Sequence, residues 1–146
     1  MDIFTVTLAT VGDVLPLFNA YREFYGQQSD LEQAEQFLLE RLNKEESVIF
    51  LAYINAQPVG FVQLYPTFSS VAMKKAFILN DLFVAEYARK QGVAQALIEQ
   101  SYSYCERNDA CYLGLETATD NVRAQKLYEK LGMRIDNGVF HYIKYW

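Results

Sequence analysis

The chain has 146 residues, 51% of them hydrophobic and 15% aromatic, and a formal net charge of −5. That length and composition point to one folded domain covering residues 1–146 and exclude a disordered chain, while the acid excess argues against a nucleic-acid partner. No apolar run approaches 18 residues and no basic segment precedes an apolar block at the N-terminus, so no membrane span or leader is expected and a cytoplasmic location is the default.

Taken in order, Phe4–Leu8 alternates as a first strand. Thr10 and Asp13 mark a helix start, which Val14, Leu17, Phe18 and Tyr21 continue at helical spacing up to the break at Gly26. Ser29 and Glu32 have the spacing of a capping box for a second helix with Leu31, Ala34 and Leu38 on one face. Val48–Ile54 and Val59–Tyr65 read as a hairpin around Asn55, followed by a loop at residues 66–70. Tyr112–Thr117 is a fifth strand, a helix follows from Asn121 to Leu131 with Gly132 as its stop, and Val139–Trp146 is an aromatic closing strand. Cys105 and Cys111 fit neither a Cys-x-x-Cys nor a zinc spacing and are expected as buried thiols. His141 is the sole histidine, so neither a Ser-His-Asp triad nor a multi-histidine metal site has support, and no metal is expected.

The informative stretch is Ile78–Glu99. Apolar residues dominate Ile78–Val84, interrupted only by Asn80 and Asp81, and Val93, Ala94, Leu97, Ile98, Ser101 and Cys105 recur on one helical face. Between strand and helix lies a basic turn, Arg89, Lys90, Gln91 and Gly92. A helix start carries unpaired N–H groups and positive partial charge, so this arrangement can cradle a phosphate. It can equally be a solvated turn ahead of an ordinary helix. The P-loop and dinucleotide glycine patterns are both missing.

Arg89-x-x-Gly92-x-Ala94 after Leu82-Phe83-Val84 resembles the acetyl-CoA motif of the GNAT superfamily, the Gcn5-related N-acetyltransferases. A second block is longer and more specific: Glu116, then Asn121-x-x-Ala124-x-x-Leu127-Tyr128-Glu129-Lys130-x-Gly132-Met133. A looser likeness of Asn80–Val84 is to the histone, polyamine and small-amine branch. The resemblance implies an α/β GNAT fold: a mixed, mostly antiparallel sheet with a central parallel βαβ unit and flanking helices. It also implies acetyl-CoA as cosubstrate, its pyrophosphate on the N–H groups of Arg89, Lys90, Gln91, Gly92, Val93 and Ala94. The pantetheine arm would lie along Leu82, Phe83 and Val84, with a strand N–H near Leu82 facing the thioester oxygen. Asn121 would bond the arm, and Tyr128 would protonate the leaving thiolate.

Each of these side chains has a plain structural alternative. Tyr128 shares a stripe with Ala124, Leu127 and Leu131 and reads equally as core, and Asn121 can be an N-cap. For the base that frees the amine, Glu116 and Asp81 compete, and either can be a structural partner for strand-end N–H groups. Asn80 stands where the polyamine branch often has glutamate, which weakens that specificity. The functional expectation is transfer to a primary amine by direct attack in a ternary complex: a small amine, amino acid or polyamine. The alternatives are protein N-termini or lysines, or a non-catalytic acyl-CoA sensor. The aromatic tail and the family's habits favour a homodimer.

Overall fold

A computed structural model describes residues 1–146. Its chain forms two compact units, Met1–Glu116 and Thr117–Trp146. In the first unit a five-stranded sheet runs in sequence order: β1 (Asp2–Thr5), β2 (Val48–Ile54), β3 (Gln57–Ser69), β4 (Lys74–Val84) and β5 (Leu113–Gly114). All neighbours are antiparallel except β4 and β5, which run parallel. Helices α1 (Val11–Phe24) and α2 (Leu31–Asn43) connect β1 to β2, and α3 (Val93–Arg107) makes the β4–β5 crossover. The expected mixed, mostly antiparallel α/β sheet with a parallel βαβ unit is present.

Alternation along β2 divides the core. Ile49 and Leu51 join Phe61 of β3, Val14, Leu17 and Phe18 of α1, and Leu38 of α2 in one buried cluster. Phe50, between them, faces the other way, where its ring and that of Phe77 meet Tyr104 of α3 at 5.6 and 5.3 Å. Leu97, Ile98 and Ser101 of α3 are buried, as their spacing predicts.

Several boundaries differ from expectation for physical reasons. The first strand lies earlier, at Asp2–Thr5, because Thr7 already begins a turn in which its N–H donates to Thr10 Oγ1 at 2.8 Å. The cap of α2 is Asp30, whose Oδ1 accepts the Gln33 N–H at 3.0 Å, while Ser29 bonds Asn19 instead. The β2–β3 turn places both Asn55 and Ala56 at positive φ, the twist a two-residue hairpin needs. β3 runs straight through Pro66 to Ser69 where a loop was expected. Pairing with β2 stops at Leu64, so the missing Pro66 N–H falls on an open edge and breaks no ladder. Cys105 is buried, its thiol pKa pushed up to about 11 by burial, but Cys111 is exposed in the turn before β5.

β5 forms only two ladder residues of the six expected, since β4 meets it at Phe77 and Ile78 alone. The second unit holds α4 (Val122–Lys130), capped by Asn121 and ended by Gly132 at φ 89°. The expected closing strand is not formed: Val139–Trp146 enters no ladder and its residues are exposed. A strand needs a neighbour, and β5 is left as the outer edge of its sheet.

Candidate active site

The site begins where β4 leaves β5. Beyond Ile78 the two parallel strands no longer pair, so Leu79–Val84 has β3 on one side and an open backbone edge on the other. An irregularity sets the geometry there. Asp81 pairs with Gln63 but Leu79 pairs with Leu64, leaving Asn80 as the extra residue of a bulge. Leu82, Phe83 and Val84 thus form an edge to which an extended ligand arm can add as a strand would.

At the end of this edge the chain makes a single 3-10 turn, Glu86–Ala88, and enters the basic turn. Lys90 and Gly92 both have positive φ, 62° and 77°. The first α3 bond runs from the Ala96 N–H to the Gly92 carbonyl at 3.0 Å, so the N–H groups of Val93 and Ala94 precede the helical ladder. A Cβ built on Gly92 would meet nothing within 4 Å, so the space before the helix start is open. Left-handed residues beside a helix N-terminus orient successive N–H groups toward one point, a geometry suited to an anion. Arg89 turns back, its Nε donating to the Val84 carbonyl at 3.1 Å, and ties the cradle to the strand end. Gln91 donates to the Tyr87 carbonyl at 3.4 Å. These features fit a ligand with a diphosphate and an extended amide-bearing arm.

Below the edge lies a group of side chains that sequence reasoning found only in part. Asp81 is 2% exposed. Its Oδ1 accepts from Asn80 Nδ2 at 2.7 Å, and its Oδ2 accepts a short bond from Gln63 Nε2. Gln63 is held in turn by Ser47, whose hydroxyl donates to Oε1 at 2.6 Å, and both residues are buried. The Tyr21 hydroxyl lies against the Asp81 carboxyl and donates to the Asn80 carbonyl at 3.3 Å. Burial raises the Asp81 pKa above the ordinary carboxylate value, and the bonds from Asn80, Gln63 and Tyr21 only partly offset it. Burial and the Asp81 charge likewise raise the Tyr21 and Tyr65 phenols. The Tyr21 ring packs edge-on to Tyr25, Phe61 and Phe83 at 5.0, 5.9 and 6.3 Å, giving the carboxyl an aromatic wall.

Ser47, Gln63 and Tyr65 were not anticipated, and Tyr21 was expected on the first helix but not as a partner of Asp81. Their signal is a polar residue inside an apolar strand run, plain at Gln63 within Val59–Leu64 once the strand is known to be buried. Gly60 was also missed. A Cβ there would lie 2.9 Å from the Phe83 carbonyl and 3.1 Å from Val93, so glycine lets β3 approach both the strand end and the first residue of α3.

Three more expected residues lie on other segments of the chain. Glu116 lies two residues past the end of β5, exposed. Asn121 and Tyr128 belong to the second unit, where Asn121 Oδ1 accepts the Ala124 N–H at 3.3 Å as the helix cap. Tyr128 is half-buried on α4, and its carbonyl accepts the Met133 N–H at 3.0 Å. No three His, Cys, Asp or Glu residues are grouped to hold a metal, and no helix is long and apolar enough to cross a membrane.

An open strand edge ending in a basic turn before a helix suits an acyl-CoA-dependent enzyme, and comparison with known proteins gives the family. Residues 14–133 match the model of the acetyltransferase (GNAT) family, and the chain belongs to that family. It is 47% identical over 142 residues to an uncharacterized N-acetyltransferase of Bacillus subtilis strain 168, covering 97% of this chain and 95% of the relative. A probable acetyltransferase of Haemophilus influenzae is 35% identical, covering 71% of this chain and 72% of that one. Among solved structures, the crystal structure of a probable acetyltransferase superposes with a TM-score of 0.96 at 41% identity. That match covers 100% of this chain and 98% of the other, the aromatic tail included. The protein is an N-acetyltransferase by family, and the family implies acetyl-CoA as cosubstrate.

Proposed function

We propose that this enzyme acetylates a primary amine, with Asp81 as the group that takes the amine proton. The observation that carries the reading is a buried carboxyl of raised pKa beneath the open edge of β4, walled by Tyr21 and Phe83. A carboxylate attracts an ammonium ion, and aromatic faces favour a cation beside them. A pKa raised toward the working pH is also what general-base catalysis asks for.

Acetyl-CoA, when bound, supplies the activated acetyl thioester. The Val93 and Ala94 N–H groups and the turn Arg89–Gly92 hold the diphosphate, and the edge Leu82–Val84 holds the arm. The amine proton passes to Asp81, directly or through a water. The freed nitrogen forms the C–N bond to the acetyl carbon as the C–S bond breaks, and a strand N–H near Leu82 stabilises charge on the carbonyl oxygen. By the family resemblance, Tyr128 gives its phenolic proton to the sulfur and is reprotonated by the second proton that the nitrogen loses as the amide forms, and Asn121 bonds the arm. No residue of the chain is acylated, because the amine attacks in a ternary complex. Glu116, exposed beyond β5, contributes by attracting cations. The reading takes residues 1–146 as one cytoplasmic acetyltransferase domain acting on a small amine, amino acid or polyamine, in a homodimer.

The test is release of CoA against a panel of polyamines, amino acids, aminoglycosides and N-terminal peptides. Turnover with one class of amine is expected. Transfer to hydroxyl acceptors alone would refute the amine reading. Tight acetyl-CoA binding with no turnover on any acceptor would make the protein a sensor instead.

A further inference from the structure

In the free enzyme nothing reaches the Asp81 carboxyl without displacing a donor. Asp81 is 2% exposed, and its oxygens already accept from Asn80 at 2.7 Å and from Gln63, with the Tyr21 hydroxyl against them. An ammonium ion contacts an oxygen so enclosed only when one of these donors moves aside. All three belong to Met1–Glu116, so the choice among them is made within the first unit.

The donors differ in how firmly they are held. Gln63 is wholly buried, and the Ser47 hydroxyl fixes the other end of its amide at 2.6 Å. The Tyr21 ring packs against Phe18, Tyr25, Phe61 and Phe83, and its hydroxyl donates to the Asn80 carbonyl at 3.3 Å. Asn80 is the extra residue of the β4 bulge, outside the ladder to β3, and its side chain bonds only Asp81. Within the first unit that side chain is exposed. Rotating it about its Cα–Cβ bond breaks one hydrogen bond and opens no core. Moving Gln63 or Tyr21 would strip a buried partner or part a cluster of rings.

We infer that the Asn80 amide stands in for the substrate: it fills the amine position in the free enzyme and swings out when the amine arrives, leaving an ammonium N–H on Asp81 Oδ1. Both groups donate N–H bonds, but only the ammonium is charged, so beside a carboxylate the exchange favours the substrate. The proton then crosses along that N–H···Oδ1 bond with no water between. The carboxyl becomes neutral, and the nitrogen keeps the electron pair with which it attacks. This rests on the reading of Asp81 as the base, and adds where the amine sits and what it displaces.

A side chain that competes with the substrate and one that helps to hold it give opposite signs on removal. The full-length enzyme in complex with CoA is titrated calorimetrically with the best amine of the panel, at the alkaline end of the wild-type rate profile. In the wild type the amine must break a bond to a charged group that Asn80→Ala never makes. The variant is therefore expected to bind the amine about tenfold more tightly, with kcat/KM raised in the same direction. Circular dichroism and CoA affinity serve as controls for the fold. Asn80→Leu keeps the bulk and lacks the donor, so it should shift the same way, and it decides the matter where Asn80→Ala does not fold. Unchanged or weaker amine binding in a folded donor-less variant, with the amine still acetylated by wild type, would overturn the stand-in and leave the amine reading intact. Wild-type amine affinity and kcat in Asp81→Asn, or no amine acceptor in the panel, would end both.

Discussion

At the residue scale the proposed chemistry turns on Asp81 and on what keeps it in place. Gln63 presents its amide N–H₂ to the carboxyl because Ser47 occupies its carbonyl side, so three buried residues act as one unit. Gln63→Leu deletes both bonds and leaves the Ser47 hydroxyl and the Asp81 carboxyl short of partners. Losing a buried partner typically costs about 1–3 kcal/mol, a drop that urea unfolding would register. With a bond to the charged form gone, the Asp81 pKa should climb further, moving the rising limb of the kcat/KM profile to higher pH. A limb that stays put would show that Gln63 merely packs. Tyr128 invites a separate test: Tyr128→Phe keeps the ring and removes the hydroxyl. Loss of a positioned acid commonly costs about 10²–10⁴-fold, and that fall in kcat is expected with acetyl-CoA affinity intact. An unchanged kcat under rate-limiting chemistry would leave Tyr128 as packing. Asp81 was legible in the sequence because an acid inside an apolar strand is conspicuous. Gln63 and Tyr21 were not, since they reach it from 18 and 60 positions away, and no local pattern records such distances.

At the scale of elements, the cradle depends on how β4, the basic turn and α3 meet. Gly92 has φ 77° with open space where a Cβ would go, so Gly92→Asp should fold with modest strain. Its carboxylate would nonetheless stand where the proposed reading puts the diphosphate and repel it. Calorimetric titration with CoA is expected to show binding lost in a folded variant; wild-type affinity would remove the cradle assignment. Gly60→Ala is a subtler probe of the same junction. Its methyl meets the Phe83 carbonyl at 2.9 Å, so strand and helix start must part, and weaker CoA binding should accompany lower stability. The hairpin at Asn55-Ala56 gives an opposite sign. Ala56 holds φ 62°, and the left-handed region costs a non-glycine residue roughly 1–2 kcal/mol. Ala56→Gly relieves this at an entropic cost of about 0.5–1 kcal/mol, so a small gain in unfolding free energy is expected, and a loss would mean the turn is not strained. The sequence showed β2, the start of α3 and both glycine stops well, because periodicity and caps are local. It missed the length of β3 and the shortness of β5, because those depend on which neighbour ends where.

For the whole molecule, the family was readable from two separated blocks, Arg89–Ala94 and Asn121–Met133, even though they fall in two compact units. What the sequence presented as a closing strand is a strand only with a neighbour, which is why Val139–Trp146 misled as structure. The central claim is that a buried acid on β4 frees an amine for acetylation. One measurement bears on it most directly: the pH dependence of kcat/KM from about pH 6 to 9.5 for wild type, Asp81→Asn and Glu116→Gln, with the best amine of the panel. Ionisation of Asp81 is completed as pH rises through its raised pKa, and the free-amine fraction grows in the same direction. The wild-type profile is therefore expected to climb with pH. Asp81→Asn should lie far below it at every pH, with acetyl-CoA affinity kept, and Glu116→Gln should follow wild type at a modestly higher KM. A profile left intact by Asp81→Asn and abolished by Glu116→Gln would contradict the account and place the base at the end of β5.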